Sequence, residues 1–236
     1  TREAFLNYMA LLGWSSPDGR EFMAEQEIAG QFDIARCSKS PAMFDVFDMN
    51  KANDIELSQL GPLELESYLF PKSKFNWLSN QHIRHLTEED YLQRIFPFVK
   101  ACDCIPDDQK SLDNSNLRSI LLSLRVYLDY FQQIRQYICD FYSDTNATDE
   151  AMEWIRKENS PLIIRTFHDI LNGIAEFNPE NIQAAISKTS ADTKIKGKDL
   201  FMTLRSAATG KIHGLELPVY LTLLGKDRVM RRISKY

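Results

Sequence analysis

The chain has 236 residues and a formal charge of −5, and with 44% hydrophobic and 11% aromatic residues it carries ample apolar material for packed cores. No run approaches the roughly 18 apolar residues that a membrane span needs, and the first thirty residues lack the basic-then-apolar layout of a secretory signal. A globular, soluble, cytoplasmic protein without membrane contact is therefore expected. The four cysteines, Cys37, Cys102, Cys104 and Cys139, read as too few and too scattered for a disulfide framework. Cys102 and Cys104 have one residue between them where zinc loops have two to four, and the four histidines lack ligand spacing, so no metal is expected.

The chain opens with Thr1, not methionine, at the head of an apparent helix, as expected of a domain cut from a longer protein. Phe5, Tyr8, Met9 and Leu12 recur at helical spacing and predict a helix over residues 2–12. A turn at Ser16–Gly19 precedes a second predicted helix from Arg20 to about Gln31, with Phe22, Met23, Ile28 and Phe32 inward. Ser40 and Pro41 form a start signal. In the next thirty residues Asp48, Asn50, Asp54 and Glu56 superficially suggest a calcium loop. Ala52, Asn53 and Gln59 occupy the positions that need an oxygen ligand, a glycine and a bidentate glutamate, so calcium is not expected. The many leucines here point to a packed elaboration.

Trp77, Leu78 and Ile83 fit a short helix ending near Arg84, where His82 and His85 flank its end. Thr87, followed by Glu88, Glu89 and Asp90, caps another that should bury Leu92, Ile95, Phe96 and Val99. From Leu117 to Phe141 apolar residues recur every three or four positions, predicting one helix of some 25 residues, kinked or straight, with Arg118, Arg125 and Gln132 on its polar flank and Tyr127 on another. Further helices are expected after Thr148, after Ser160 with Leu162, Phe167, Ile170, Leu171 and Ile174 inward, and after Asn178. Alternating strand patterns are absent. The fold class is all-α, built of helical bundles with short loops.

The last 43 residues stand apart in charge. Lys194 to Tyr236 hold ten cations and three anions, so the tail is +7 and the rest of the chain −12. A basic segment on an acidic protein suits an anionic partner, and phosphate backbone is the commonest. Within it, Leu200, Leu204, Ala207 and Ala208 predict a helix stopped at Gly210. A loop over Lys211–Glu216 follows, then a helix near Pro218 closing at Gly225. The final run carries Arg228, Arg231 and Arg232. Two short helices around a glycine-containing loop can present a guanidinium and backbone groups to the edges of unstacked bases.

KGKDLFMTLRSAATGK at Lys196–Lys211 and LLGKDRVMRRI at Leu223–Ile233 resemble the C-terminal end of bacterial glutamyl-tRNA synthetases. NYMALLGW at Asn7–Trp14, SKSPAMFD at Ser38–Asp45 and KFNWLSNQHIR at Lys74–Arg84 resemble that family's stretch just after the catalytic domain, in the same order. The likeness spans nearly the whole chain, broken between residues 46 and 73, where family members pass almost directly from one motif to the next. It implies a connector over 1–86 with that insertion, a first anticodon-binding subdomain over 87–143 and a second over 144–236.

The resemblance further implies a parent that attaches glutamate to tRNA with ATP and Mg2+. The family's HIGH-type and KMSKS-type signatures are missing, so no catalytic residue is expected and the fragment alone should be inactive. Its partner should be tRNA rather than DNA, and a monomer is expected. Matched residue by residue, the family's arginine for the first anticodon base falls on Arg205, with nearby loop contacts on Gly214, Leu215 and Leu217; threonine and proline found there in some members are replaced. The arginine that reads the third base in glutamate-only members falls on Tyr127, with Arg125 two residues earlier. Tyrosine offers no bidentate fork for cytosine, so relaxed discrimination between glutamate and glutamine tRNAs is expected. Lys211, Arg228, Arg231 and Arg232 complete the expected tRNA-binding set. The alternative is a helical protein-interaction scaffold whose basic tail meets an acidic partner and which has no RNA role.

Overall fold

The computed structural model describes residues 1–40, 42, 73–144 and 146–236. Pro41 of the start signal, the calcium-like register and the insertion up to Lys72 lie outside the described residues. Among the described residues twelve α-helices are joined by turns and 3-10 segments, and no strand occurs. They fall into two compact units, Thr1–Ala101 with Leu124–Ile134, and Cys102–Ser123 with Arg135–Tyr236. This partition follows contacts and crosses the segment boundaries expected from the sequence, because a short stretch of the middle segment returns to pack on the earlier helices.

In the first unit, helix α1 (Arg2–Leu11) is capped by Thr1, whose Oγ1 accepts from Ala4 N at 3.1 Å. Asn7, on its inner face, is fully buried. Its Nδ2 donates to Glu21 O at 2.9 Å, and its Oδ1 accepts from Met23 N at 3.0 Å and faces His82 Nε2 at 3.1 Å. Those bonds hold residues 20–24 extended, so the helix predicted from Arg20 begins only with α2 (Glu25–Gln31). Met23 and Ile28 are buried as predicted; Phe22 is half-buried against the His82 and His85 rings, and Phe32 is 49% exposed. Burial lowers the pKa of His82, which favours the neutral ring donating to Asn7.

Helix α3 (Lys74–His85) packs on α1. Helix α4 (Glu88–Lys100) starts where Thr87 Oγ1 accepts from Asp90 N at 3.2 Å, with three acids in the first turn. It buries Tyr91, Leu92, Ile95 and Val99, while Phe96 is half-buried.

The single long helix predicted from Leu117 to Phe141 does not form. The stretch is divided into α5 (Ser115–Leu124), 3-10 turns at Arg125–Tyr127 and Phe131–Gln133, α6 (Ile134–Ile138) and a last 3-10 turn at Cys139–Phe141. Side chains, one of them from α3, take over backbone groups that a helix would have paired. Asn80 Nδ2 donates to Val126 O at 3.1 Å and Leu128 O at 2.9 Å, and Gln133 Oε1 accepts from Asp129 N at 2.6 Å. Arg125 donates to Ile83 O at 2.9 Å, to Arg84 O at 2.7 Å and to Leu86 O, and its guanidinium lies 5.1 Å from the Tyr91 ring centroid. It therefore satisfies the carbonyls at the C-terminal end of α3, where a cation also meets the negative end of the helix dipole.

The second unit continues with α7 (Asp149–Ile155), α8 (Ser160–Asn172), α9 (Pro179–Thr193), α10 (Gly197–Thr209), α11 (Leu217–Leu224) and α12 (Lys226–Ile233). Thr148 and Asn178 cap α7 and α9 as predicted, accepting from Ala151 N at 3.2 Å and Asn181 N at 2.8 Å. Ser160 is instead the first residue of α8, and its Oγ donates to Trp154 O at 2.7 Å. The inward face of α8 is Ile163, Ile164, Phe167 and Leu171; Leu162 is 53% exposed and Ile170 and Ile174 are half-buried.

The cysteine expectation also needs correcting. Cys104 and Cys139 form a disulfide with Cα atoms 5.5 Å apart, while Cys37 and Cys102 are free. The partners are 35 residues apart in sequence, a separation that carries no local signal of pairing.

Candidate nucleic-acid interface

Helix α10 ends at Gly210, whose φ of 71° lies in the left-handed region and whose N–H returns to Ser206 O at 2.9 Å. A Cβ here would come within 3.0 Å of Asn146 O. The Gly210 carbonyl accepts from Thr148 N at 2.9 Å, which joins the end of α10 to the start of α7. Both the backbone angle and this close approach require glycine.

The Lys211–Glu216 loop is held from both sides. Leu215 and Leu217 are buried, so their side chains fix the loop on the core. Arg205 Nη2 reaches across from α10 to Leu215 O at 2.9 Å, and a Cβ at the exposed Gly214, φ 138°, would sit 3.7 Å from Arg205 Nη1. Lys211 pairs with Asp140, whose side chain is only 12% exposed. Thus Arg205, Lys211, Gly214, Leu215 and Leu217 converge on one short loop, with Arg205 half-buried beneath it and Gly214 at the surface. What the loop offers outward is backbone at Gly214; the leucine side chains face in.

The three arginines of α12 diverge. Arg232 is 2% exposed and donates to Ala208 O at 3.3 Å, to Asp140 O and to Ser143 O at 2.8 Å. It is a buried clamp on carbonyls, which removes it from the expected surface set. Arg231 is exposed and 3.8 Å from Asp144 Oδ1. Arg228 is half-buried. Lys226 turns inward to Asn172 O at 2.9 Å and Ile174 O at 2.7 Å. Part of the +7 of the tail is therefore internal, and the exposed cations are Lys194, Lys196, Lys198, Arg231 and Lys235.

Arg125 and Tyr127 belong to the other unit. Arg125 is half-buried in its carbonyl clamp, whereas Tyr127 is 38% exposed on its 3-10 turn. Asp140 was missed by sequence reasoning although it holds Lys211 through its carboxylate and Arg232 through its carbonyl. Nothing local to residue 140 signals either bond.

A family model described as an anticodon binding domain matches residues 81–236. Over 99% of its length the chain is 40% identical to a glutamate–tRNA ligase from Leptospira biflexa, of which it covers 46%. It is 31% identical, again over 99% of its length, to the glutamate–tRNA ligase from Mesoplasma florum, of which it covers 42%. Among solved structures, a glutamate tRNA ligase from Elizabethkingia meningosepticum matches with a TM-score of 0.72 and 17% identity, covering 99% of this chain and 40% of that one; at that identity the likeness speaks for the fold. The chain spans less than half the length of the curated relatives it matches.

Proposed function

Given that this chain belongs to the anticodon-binding domain family, we propose that it binds tRNA and reads the anticodon as part of a cytoplasmic glutamate–tRNA ligase. The observation that carries this reading is the braced loop beside α10: Arg205 bonded to Leu215 O at 2.9 Å under an exposed Gly214. A half-buried guanidinium bracing backbone polar groups that open at Gly214 suits an unstacked base, whose edges need fixed donors and acceptors. The anticodon-binding family match does not favour the scaffold alternative. ATP and Mg2+ would serve the parent activity. Among the described residues no group of three or more His, Cys, Asp or Glu could hold a metal.

Arg205→Ala should weaken binding of glutamate tRNA by about tenfold to a hundredfold, the scale of one polar base contact, and should weaken a tRNA with a scrambled anticodon far less. Titration of both tRNAs at fixed salt checks this. Equal losses would reduce Arg205 to a phosphate contact or a structural brace.

Tyr127 carries a second part of the proposal. With tyrosine where glutamate-only members have arginine, and with Arg125 committed to three carbonyls, neither side chain offers a fork for cytosine. The parent enzyme should therefore charge both glutamate and glutamine tRNAs. Aminoacylation of the two purified tRNAs by the full-length ligase tests it. A preference above about a thousandfold, roughly 4 kcal/mol, would rule the idea out.

A further inference from the structure

A cavity of about 310 Å³ opens at the start of α12, lined by Arg228 and Arg231, by Tyr142, and by Asn116 and Gln109 from the segment before and along α5. Three features of it are unbalanced. Arg228 makes no hydrogen bond or ion pair among the described residues, although it is half-buried and its pKa is lowered by desolvation and then by the neighbouring charges of Arg232 and Arg231. Tyr142 Oη is buried without a hydrogen-bond partner among the described residues. Gly225 also lines the cavity, and the backbone N–H groups of the first turn of α12 beyond it have no side-chain cap.

A buried hydroxyl without a partner is unfavourable, and a half-buried guanidinium beside two others is only partly offset by Asp144. Such groups persist together where something absent from the free protein completes them. The opposing charges are few. Asp227 also lines the cavity, and Asp144 sits 3.8 Å from Arg231 at its edge. Lys226 is turned away to its two carbonyls, so Arg228 and Arg231 are the cations facing the space. Guanidinium, phenol O–H, carboxamide N–H and free helix N–H groups are all donors, and together they match a tetrahedral oxyanion.

We propose that this cavity is a seat for a phosphate group, with Arg228 as its charge partner and Tyr142 as a hydroxyl donor. The phosphate comes either from the tRNA backbone, in which case the proposal rests on the tRNA-binding reading above, or from a free phosphorylated small molecule. Either source presents the same oxygens to the same donors.

Two variants, Arg228→Gln and Tyr142→Phe, separate the outcomes, the second because it removes only an unsatisfied hydroxyl and should leave the fold intact by urea unfolding. If the backbone is the source, both variants should weaken native and scrambled tRNAs equally, by about threefold to tenfold. Arg228→Gln should also lower the slope of log affinity against log salt by about one. If a free phosphate is the source, inorganic phosphate should perturb the amide resonances of the first turn of α12 in the wild-type chain and not in either variant, with tRNA binding unchanged. Wild-type and variant chains that respond alike in both assays would overturn the proposal. Loss of all tRNA binding by the wild-type chain would sink the anticodon reading but leave the phosphate titration decisive.

Discussion

Arg232→Ala is expected to cost the second unit about 3–5 kcal/mol of folding stability, because three buried or half-buried carbonyls lose a charged donor. The guanidinium is 2% exposed and bonds the carbonyls of Ala208, Asp140 and Ser143. Its loss leaves three acceptors facing a cavity without donors, each worth about 1 kcal/mol or more. Arg232→Lys should fall between wild type and alanine, because one ammonium cannot span three carbonyls that a planar fork reaches. The neighbouring Arg231, exposed and 3.8 Å from Asp144, should lose under about 0.5 kcal/mol on the same change. Urea unfolding of the three variants checks this; similar midpoints for the alanine substitutions at 231 and 232 would refute the buried clamp.

Reduction of the Cys104–Cys139 bond should be the second large effect. The bond closes a loop of 35 residues, and the chain-entropy model assigns such a loop about 4 kcal/mol through restriction of the unfolded chain. Cys139 immediately precedes Asp140, so the bond also secures the segment that holds Lys211 and Arg232. With a dithiol reductant present, the second unit should unfold at lower urea by that margin. A Cys104→Ser/Cys139→Ser chain should match the reduced protein and ignore the reductant. Titration of the denatured, unreduced chain should count two free thiols, Cys37 and Cys102. Four thiols, or no response to reductant, would show that the pair does not form. Dithiols prevail in a cytoplasmic setting, so the reduced stability is the one that bears on the proposed role.

The helix starts at Thr87, Thr148 and Asn178 and the stop at Gly210 were legible from residues alone, because a cap is a bond between positions two to four apart. The late onset of α2 was not legible, since Asn7 decides it from 14 and 16 residues away. The break in the predicted long helix was hidden for the same reason. Periodicity from Leu117 to Phe141 reports which side chains are buried, and Leu117, Leu121, Leu124, Leu128, Ile134, Ile138 and Phe141 are all buried. It does not report whether the backbone bonds stay in the helix ladder, and Asn80 takes two of those carbonyls from 46 and 48 residues away.

By itself the sequence determined the all-α class, the helix starts at Thr87, Thr148 and Asn178, the stop at Gly210 and the nearness of Arg205 to the Lys211–Leu217 loop, since each depends on spacing within about a dozen residues. Only the tertiary structure decided what each cation does. Arg231 and Arg232 are adjacent and chemically alike, yet one faces water and the other bonds carbonyls 24, 89 and 92 residues away. A charge in a sequence has no inherent direction; which carbonyls lack donors, and where water is excluded, is settled when the helices pack.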